Sequence, residues 1–319
     1  MKKIKVIKFD NHQGGGTFIV AKYLLELLDE KGYVYDVSYI ERNEIYLETK
    51  GGKELVKKFR FVPPFLQPYY QNRKLRKHIN EDDLLIVLHG TSLFLPKRNR
   101  KIVYIHHSNA YRYYDDSKWK KGYKKIANYV EMVILYFLER MQNPDKVVFN
   151  SYYSKARCKH YRAKGEIEIL YPPSPFSGRI NTEKKEFPIV TLSRLHPEKN
   201  LGLLIEAAKE FPELQFQING FYAKSEYADD FIEKSKSLNN LNLCLNQQDS
   251  EVDSALYNSK YYLHTMRGEH FGIAVAQAAM NGCILILSDK GGLTEIAPKH
   301  SYNYGNKHEL FEILKKIKS

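Results

Sequence analysis

From Ile4 to Lys318, short apolar runs of strand length alternate with segments of helix length, and this alternation restricts the chain to few architectures. In the first half the predicted strands fall at 4–9, 33–40, 84–88, 102–106, 146–150 and 167–171. Several are continuously apolar, as expected of strands covered on both faces. Helical periodicity fills the spacing, as over 17–30, where Phe18, Ala21, Leu24, Leu25 and Leu28 share one face. The stretch YPPSPFSGRINTEKKEFP, residues 171–188, is rich in Pro, Ser, Gly and charge and reads as a linker. The alternation then restarts. Strands are predicted at 189–194, 215–219, 241–245, 261–265 and 284–288, and helices at 201–210, 229–236, 251–258, 272–281 and 307–318. Such β/α alternation predicts parallel sheets with helices on both faces. The expected fold is α/β: two doubly wound Rossmann-like domains, 1–172 and 189–319, joined by a linker at 173–188 and facing each other across a cleft. Ligands of such sheets bind outside the carboxyl ends of the strands, hence in that cleft.

A chain of 319 residues is long enough for two cores. No apolar run approaches the length of a membrane span. The N-terminal MKKIKVIKFD alternates apolar residues with lysines, which predicts a first strand rather than a signal peptide. Cys158, Cys244 and Cys283 are far apart and odd in number, so no structural disulfide or zinc site is expected, and a cytoplasmic location follows. The charge is lopsided. Residues 1–150 hold 28 Lys and Arg against 17 Asp and Glu, a net +11 of the chain's +13. Its basic clusters are 53–60, 73–77, 97–101 and 118–125, the last with Tyr111, Tyr113, Tyr114, Trp119 and Tyr123 nearby. A one-sided positive field suits an anionic partner: a bilayer surface, a phosphorylated lipid or a nucleic acid. A solvated lysine-rich surface explains the same charge equally well.

Four strand ends carry candidate chemistry. The loop Arg267-Gly268-Glu269-His270 ends the 261–265 strand, and a helix begins near Phe271-Gly272. The first N–H groups of that helix lack partners and its dipole is positive there, which makes an anion site. The helix is apolar all round except at Gln277, so it is buried, and a buried amide needs a hydrogen-bond partner. A ligand hydroxyl or a neighbouring backbone group can supply it. Glu269 reads either as a site acid or as a solvated loop acid. In TLSRLHPEKN, Arg194 and Lys199 project from the end of the 189–194 strand and could grip phosphate oxygens, or be loop cations with Lys199 paired to Glu198. In DNHQGGGTF, Gly14, Gly15 and Gly16 join the first strand to a helix and allow close approach of a phosphate or sugar. The order is neither GxGxxG nor a Walker loop. In VYIHHSN, His106 or His107 could meet a substrate hydroxyl, or be an ordinary structural histidine. Adjacent histidines with no carboxylate or thiol beside them do not make a metal site.

Two stretches together, SRLHPEKNLGLLIEA and GEHFGIAVAQAAMNGCILILSDKGGLTEI, resemble the second domain of retaining GT-B glycosyltransferases, glycosyltransferase family 4. VVFNSYYSKAR, YIHHSN and HQGGGTF resemble first-domain segments of the same family and keep its order. The GEHFGI wording is nearest to mannosyltransferases acting on dolichol-linked oligosaccharides. The resemblance implies a GT-B fold, an acceptor-side first domain and a nucleotide-sugar-binding second domain. It implies transfer of a hexose from a UDP- or GDP-sugar to a hydroxyl acceptor with retention, the acceptor being a lipid-linked sugar or glycan. It implies that Arg194 and Lys199 grip the donor diphosphate and that Glu269 contacts the donor sugar. The backbones of Phe271, Gly272 and Ile273, with His270 beside them, lie along sugar and diphosphate. Gly14, Gly15 and Gly16 approach the donor phosphate, and His106, with His107 as the alternative, stands beside the transferred sugar. No metal or other cofactor is implied, since protein cations hold the leaving group. Gln277 departs from the family, which has a second acid there for the ribose; the neutral amide can still bond a diol. The readings left open are a transferase acting on nucleic acid or protein, and a non-catalytic sugar-nucleotide-binding protein. A membrane-linked acceptor would place the protein peripherally on the inner membrane face.

Overall fold

The computed structural model describes residues 3–88, 90–111, 122–173 and 188–318, except 11–15. The chain divides into two compact units, Met1–Pro173 and Ser174–Ser319.

Unit 1 contains β1 (Ile4–Asp10), α1 (Gly16–Glu30), β2 (Tyr35–Glu41), β3 (Glu44–Thr49), β4 (Gly52–Lys58), α2 (Gln67–Leu75), β5 (Leu84–Leu88), β6 (Lys101–Ile105), α3 (Tyr123–Arg140), β7 (Lys146–Phe149), α4 (Tyr152–Arg157) and β8 (Ile167–Ile169). Its strands form one sheet in the order β4-β3-β2-β1-β5-β6-β7-β8. From β2 to β8 the pairing is parallel. Apolar clusters cover both faces. One is built on Ile7, Leu85, Val103 and Phe149, the other on Val6, Ala21, Leu28 and Tyr104.

The expectation of a wholly parallel first sheet is corrected at one edge, where β3 and β4 run antiparallel. Arg42 and Asn43 both take positive φ, 47° and 64°, which closes a two-residue hairpin turn whose twist matches the strands. Ile45 and Leu47 then face inward, and β4 presents a mostly exposed, lysine-bearing edge that discourages further pairing. The basic cluster at 53–60 therefore lies largely on this edge, with Lys53 on Glu41 at 2.9 Å and Lys58 on Glu44 at 3.0 Å. Lys101, from another cluster, is buried and donates to the Asn99 carbonyl. The net charge of unit 1 is thus partly engaged within the unit.

Unit 2 contains β9 (Ile189–Arg194), α5 (Gly202–Glu210), β10 (Phe216–Phe221), α6 (Glu226–Ser235), β11 (Leu241–Leu245), α7 (Asp249–Asn258), β12 (Tyr261–Leu263), α8 (Ile273–Met280), β13 (Ile284–Ser288), β14 (Tyr302–Tyr304) and α9 (Lys307–Lys318). The order is β11-β10-β9-β12-β13-β14, all parallel. Counted from β9 this is 3-2-1-4-5-6, the doubly wound order, and it reverses between β9 and β12. In doubly wound sheets such a reversal, outside the carboxyl ends of the strands, is where ligands bind. No helix among the described residues is long and apolar enough to cross a membrane.

Candidate functional site

The reversal in unit 2 brings the loop after β9 against the loop after β12. Thr191 Oγ1 of β9 donates to the Leu263 carbonyl of β12 at 2.7 Å, and Thr265 Oγ1 donates to the Lys199 carbonyl at 2.6 Å, so one hydroxyl ties the strands and the other the loops. Pro197–Lys199 form a single 3-10 turn whose His196 side chain accepts from the Glu198 N–H, and Asn200 closes it at positive φ, 52°. This turn points Lys199 at the loop after β12. Its Nζ donates to Glu269 Oε2 at 2.8 Å and lies 3.0 Å from the Met266 sulfur. The two side chains are largely withdrawn from solvent, Lys199 at 15% and Glu269 at 19% exposure. The expected alternative of a Lys199–Glu198 pair is not what forms. Glu198 instead takes Arg194, at 2.8 Å, in a mostly exposed contact.

Glu269 is held by its backbone as well. Its carbonyl accepts from the Gly292 N–H at 2.8 Å, and it bridges to Gly291. Gly291 has φ 124°, and a Cβ there would stand 2.6 Å from the Glu269 carbonyl oxygen, so only glycine fits. Glu269 is thus a fixed, partnered acid and not a solvated loop acid. Oε1 accepts from the His270 N–H at 3.2 Å. Burial works to raise the Glu269 pKa, but Lys199 and then His264 outweigh it and hold the carboxyl well below the usual carboxylate range.

His264 was not among the residues singled out from sequence. It follows β12, is buried, stacks on Tyr262 and has its carbonyl bonded by the Tyr304 hydroxyl at 2.8 Å. Its Nε2 lies 3.7 Å from Glu269 Oε2, beyond hydrogen-bond length, and has no hydrogen-bond partner among the described residues. Gly291 and Gly292 were also missed as site residues. Their signal was the doubled glycine two residues beyond the end of a predicted strand.

The helix start is built as the sequence predicts. Gly272 is the N-cap of α8 at φ 89°, with no side-chain cap on the first turn. A Cβ on Gly272 would collide with Leu293. The first amides of α8 are therefore uncapped by any side chain, beside a fixed Lys–Glu pair. Phe271 is buried, and Ile273 opens the helix. Gln277 is buried on the second turn of the helix.

In unit 1, Gly16 opens α1, while Gly14 and Gly15 lie outside the described residues. His106 and His107 follow β6, which ends one residue earlier than predicted, at Ile105. His106 is buried, edge-on to Tyr104, and its carbonyl accepts from Ser154 Oγ at 3.2 Å. The next residues are clamped by Glu139 of α3. Its carboxylate accepts from Ser108 Oγ at 2.6 Å and from the Asn109 N–H at 2.7 Å, and it contacts His160 Nε2 at 2.8 Å. Of the basic and aromatic cluster at 111–125, Tyr113, Tyr114, Lys118, Trp119, Lys120 and Lys121 lie outside the described residues. Among the described residues no three His, Cys, Asp or Glu side chains are grouped so as to hold a metal ion.

Residues 175–309 match the family described as Glycosyl transferases group 1. The phosphatidylinositol N-acetylglucosaminyltransferase gpi3 subunit of Schizosaccharomyces pombe is 27% identical over 125 residues, 38% of this chain and 27% of that protein. The GDP-Man:Man(3)GlcNAc(2)-PP-Dol alpha-1,2-mannosyltransferase of Caenorhabditis elegans is 24% identical over 157 residues, 41% of this chain and 33% of that protein. The chain thus spans a third or less of these curated relatives. Sucrose-phosphate synthase of Thermosynechococcus elongatus superposes with a TM-score of 0.70 over 99% of this chain and 90% of that one, at 14% identity. The fold is GT-B, with two Rossmann-like units, and the second unit carries the glycosyltransferase group 1 similarity.

Proposed function

We propose that this chain is a retaining glycosyltransferase of family 4 type, moving a hexose from a UDP- or GDP-sugar to a hydroxyl of a lipid-linked or glycan acceptor. The observation that carries the reading is the half-buried Lys199–Glu269 pair, set beside the start of α8, which no side chain caps, at the strand-order reversal of unit 2. A lysine ammonium has three donors. One holds Glu269, and another can take a diphosphate oxygen without breaking that contact. The Glu269 carboxylate keeps acceptor capacity on both oxygens for sugar hydroxyls. Arg194 reaches the same diphosphate by leaving its exposed pair with Glu198, which costs little. Gln277 bonds the nucleotide ribose through its side-chain amide.

As the acceptor oxygen bonds the sugar's anomeric carbon, that carbon's bond to the diphosphate oxygen breaks. The leaving phosphate takes the acceptor's proton on the same face, so configuration is kept. Negative charge grows on the diphosphate, and Lys199, Arg194 and the first amides of α8 stabilise it. These cations do the work without a metal ion. Glu269 orients the sugar. The two curated relatives, named for phosphatidylinositol and for a dolichol-linked oligosaccharide, support a lipid-linked acceptor.

A thermal-shift screen of UDP-, GDP- and ADP-sugars tests the reading. One nucleotide series should raise Tm for the wild type and not for Lys199→Ala. If none raises it, or if Lys199→Ala responds equally, the donor site is elsewhere.

A further inference from the structure

Helix α3 is amphipathic in an unusual sense. Its inner face, with Asn128, Leu135 and Glu139 buried, packs on Tyr69 and Ala110. Its outer face is also apolar. Tyr123, Ile126, Val130, Val133, Phe137 and Met141 recur at spacings of three and four, so they form one stripe. They are 46–77% exposed. A contiguous exposed apolar stripe of this length marks an interaction surface.

The charges around the stripe identify its partner. Lys124, Lys125 and Arg140 are exposed on this helix, whereas its two acids, Glu131 and Glu139, are half-buried and buried. At its C-terminal end the stripe enters an open groove lined by Phe137, Met141 and Ile167 together with Arg140 and Arg162. Glu166 and Glu168, on either side of Ile167, are already engaged by Lys146. An apolar stripe on a helix whose exposed charges are cations, with tyrosine at its start, suits the boundary between acyl chains and anionic headgroups. A second copy of the chain suits it less well. Two such faces placed together would set Lys124, Lys125 and Arg140 against like charges, with no exposed acid on the helix to pair them.

We propose that the outer face of α3 docks on an anionic lipid bilayer, lying in the plane of the interface with Lys124, Lys125, Arg140 and Arg162 on the headgroups. The docking is independent of the sugar-transfer reading, since it is read from binding alone.

The test is flotation of the full chain with phosphatidylcholine vesicles containing about 30% phosphatidylglycerol, and with phosphatidylcholine alone. The wild type should bind the anionic vesicles at least about tenfold more tightly than the neutral ones, and less tightly as salt rises. Ile126→Asp/Phe137→Asp should lose at least about tenfold, and Lys124→Glu/Lys125→Glu a similar amount. Both changes lie on exposed positions, and unchanged circular dichroism and Tm would show that the fold is kept. The proposal is overturned if the wild type ignores anionic vesicles or if both variants bind as well as it does. It is equally overturned if the wild type is a dimer that Ile126→Asp/Phe137→Asp splits while vesicles stay unbound.

Discussion

Each unit withdraws one glutamate from solvent, and the two are bonded in different ways. Glu139 in unit 1 accepts from a hydroxyl and a backbone amide and contacts a histidine, and every one of these partners belongs to the protein. Glu269 in unit 2 accepts from a lysine at 2.8 Å and, at 3.2 Å, from the His270 N–H, and it faces a histidine nitrogen that has no hydrogen-bond partner among the described residues. A saturated buried carboxylate fixes structure, here the turn that follows His106. A carboxylate with spare acceptor capacity beside a cation and an unbonded histidine nitrogen is what the proposed donor site needs.

The largest expected effect falls on the saturated side. Glu139→Ala leaves buried donors unpaired and should cost about 3 kcal/mol or more in urea unfolding. A loss under about 1 kcal/mol would remove the structural role assigned to it. On the open side the balance reverses. Glu269→Ala should lower sugar transfer about a hundredfold while stability falls by about 1 kcal/mol. If stability collapses and transfer per folded molecule does not change, the two glutamates are alike and the contrast fails.

How far these sites can be read from sequence follows the same division. Strands β9, β11 and β13 begin and end near their predicted bounds because their apolar runs are bounded by polar residues and turns. Lys199 and Glu269 could be named because both follow such runs. That they touch, and that His264 joins them, depends on β9 and β12 being sheet neighbours despite two intervening strands, which no local pattern encodes. Glu139 was legible in part: Asn128, Met132, Leu135 and Glu139 share one helix face, so its burial could have been read, but not its bonds to Ser108 and His160. The β3–β4 hairpin was lost because its charged edge strand alternates only weakly.

Gly272→Ala sharpens the contrast further. The positive φ and the clash with Leu293 should cost about 2 kcal/mol in unfolding and displace the start of α8. Equal stability would mean that the helix start tolerates a side chain. A pH experiment follows from the depressed Glu269 pKa. A carboxyl whose folded value lies below its ordinary value of 4.5 contributes stability that is complete above that value and lost as pH falls through the folded one. The stability difference between wild type and Glu269→Gln should therefore be constant near neutrality and shrink on acidification. A difference that grows in acid would show a raised pKa. The smallest effect is expected from Gln277→Leu, with donor affinity falling less than about tenfold through one lost ribose hydrogen bond.

The central claim is that Lys199 and Glu269 act as one donor-binding unit. Calorimetric titration of the nucleotide sugar that scores in the thermal screen, into wild type, Lys199→Ala, Glu269→Gln and the double variant, measures it directly. Each single change should weaken Kd at least about tenfold, and the double change by clearly less than the product of the two. Single variants that bind as the wild type does, or losses that simply multiply, would contradict it.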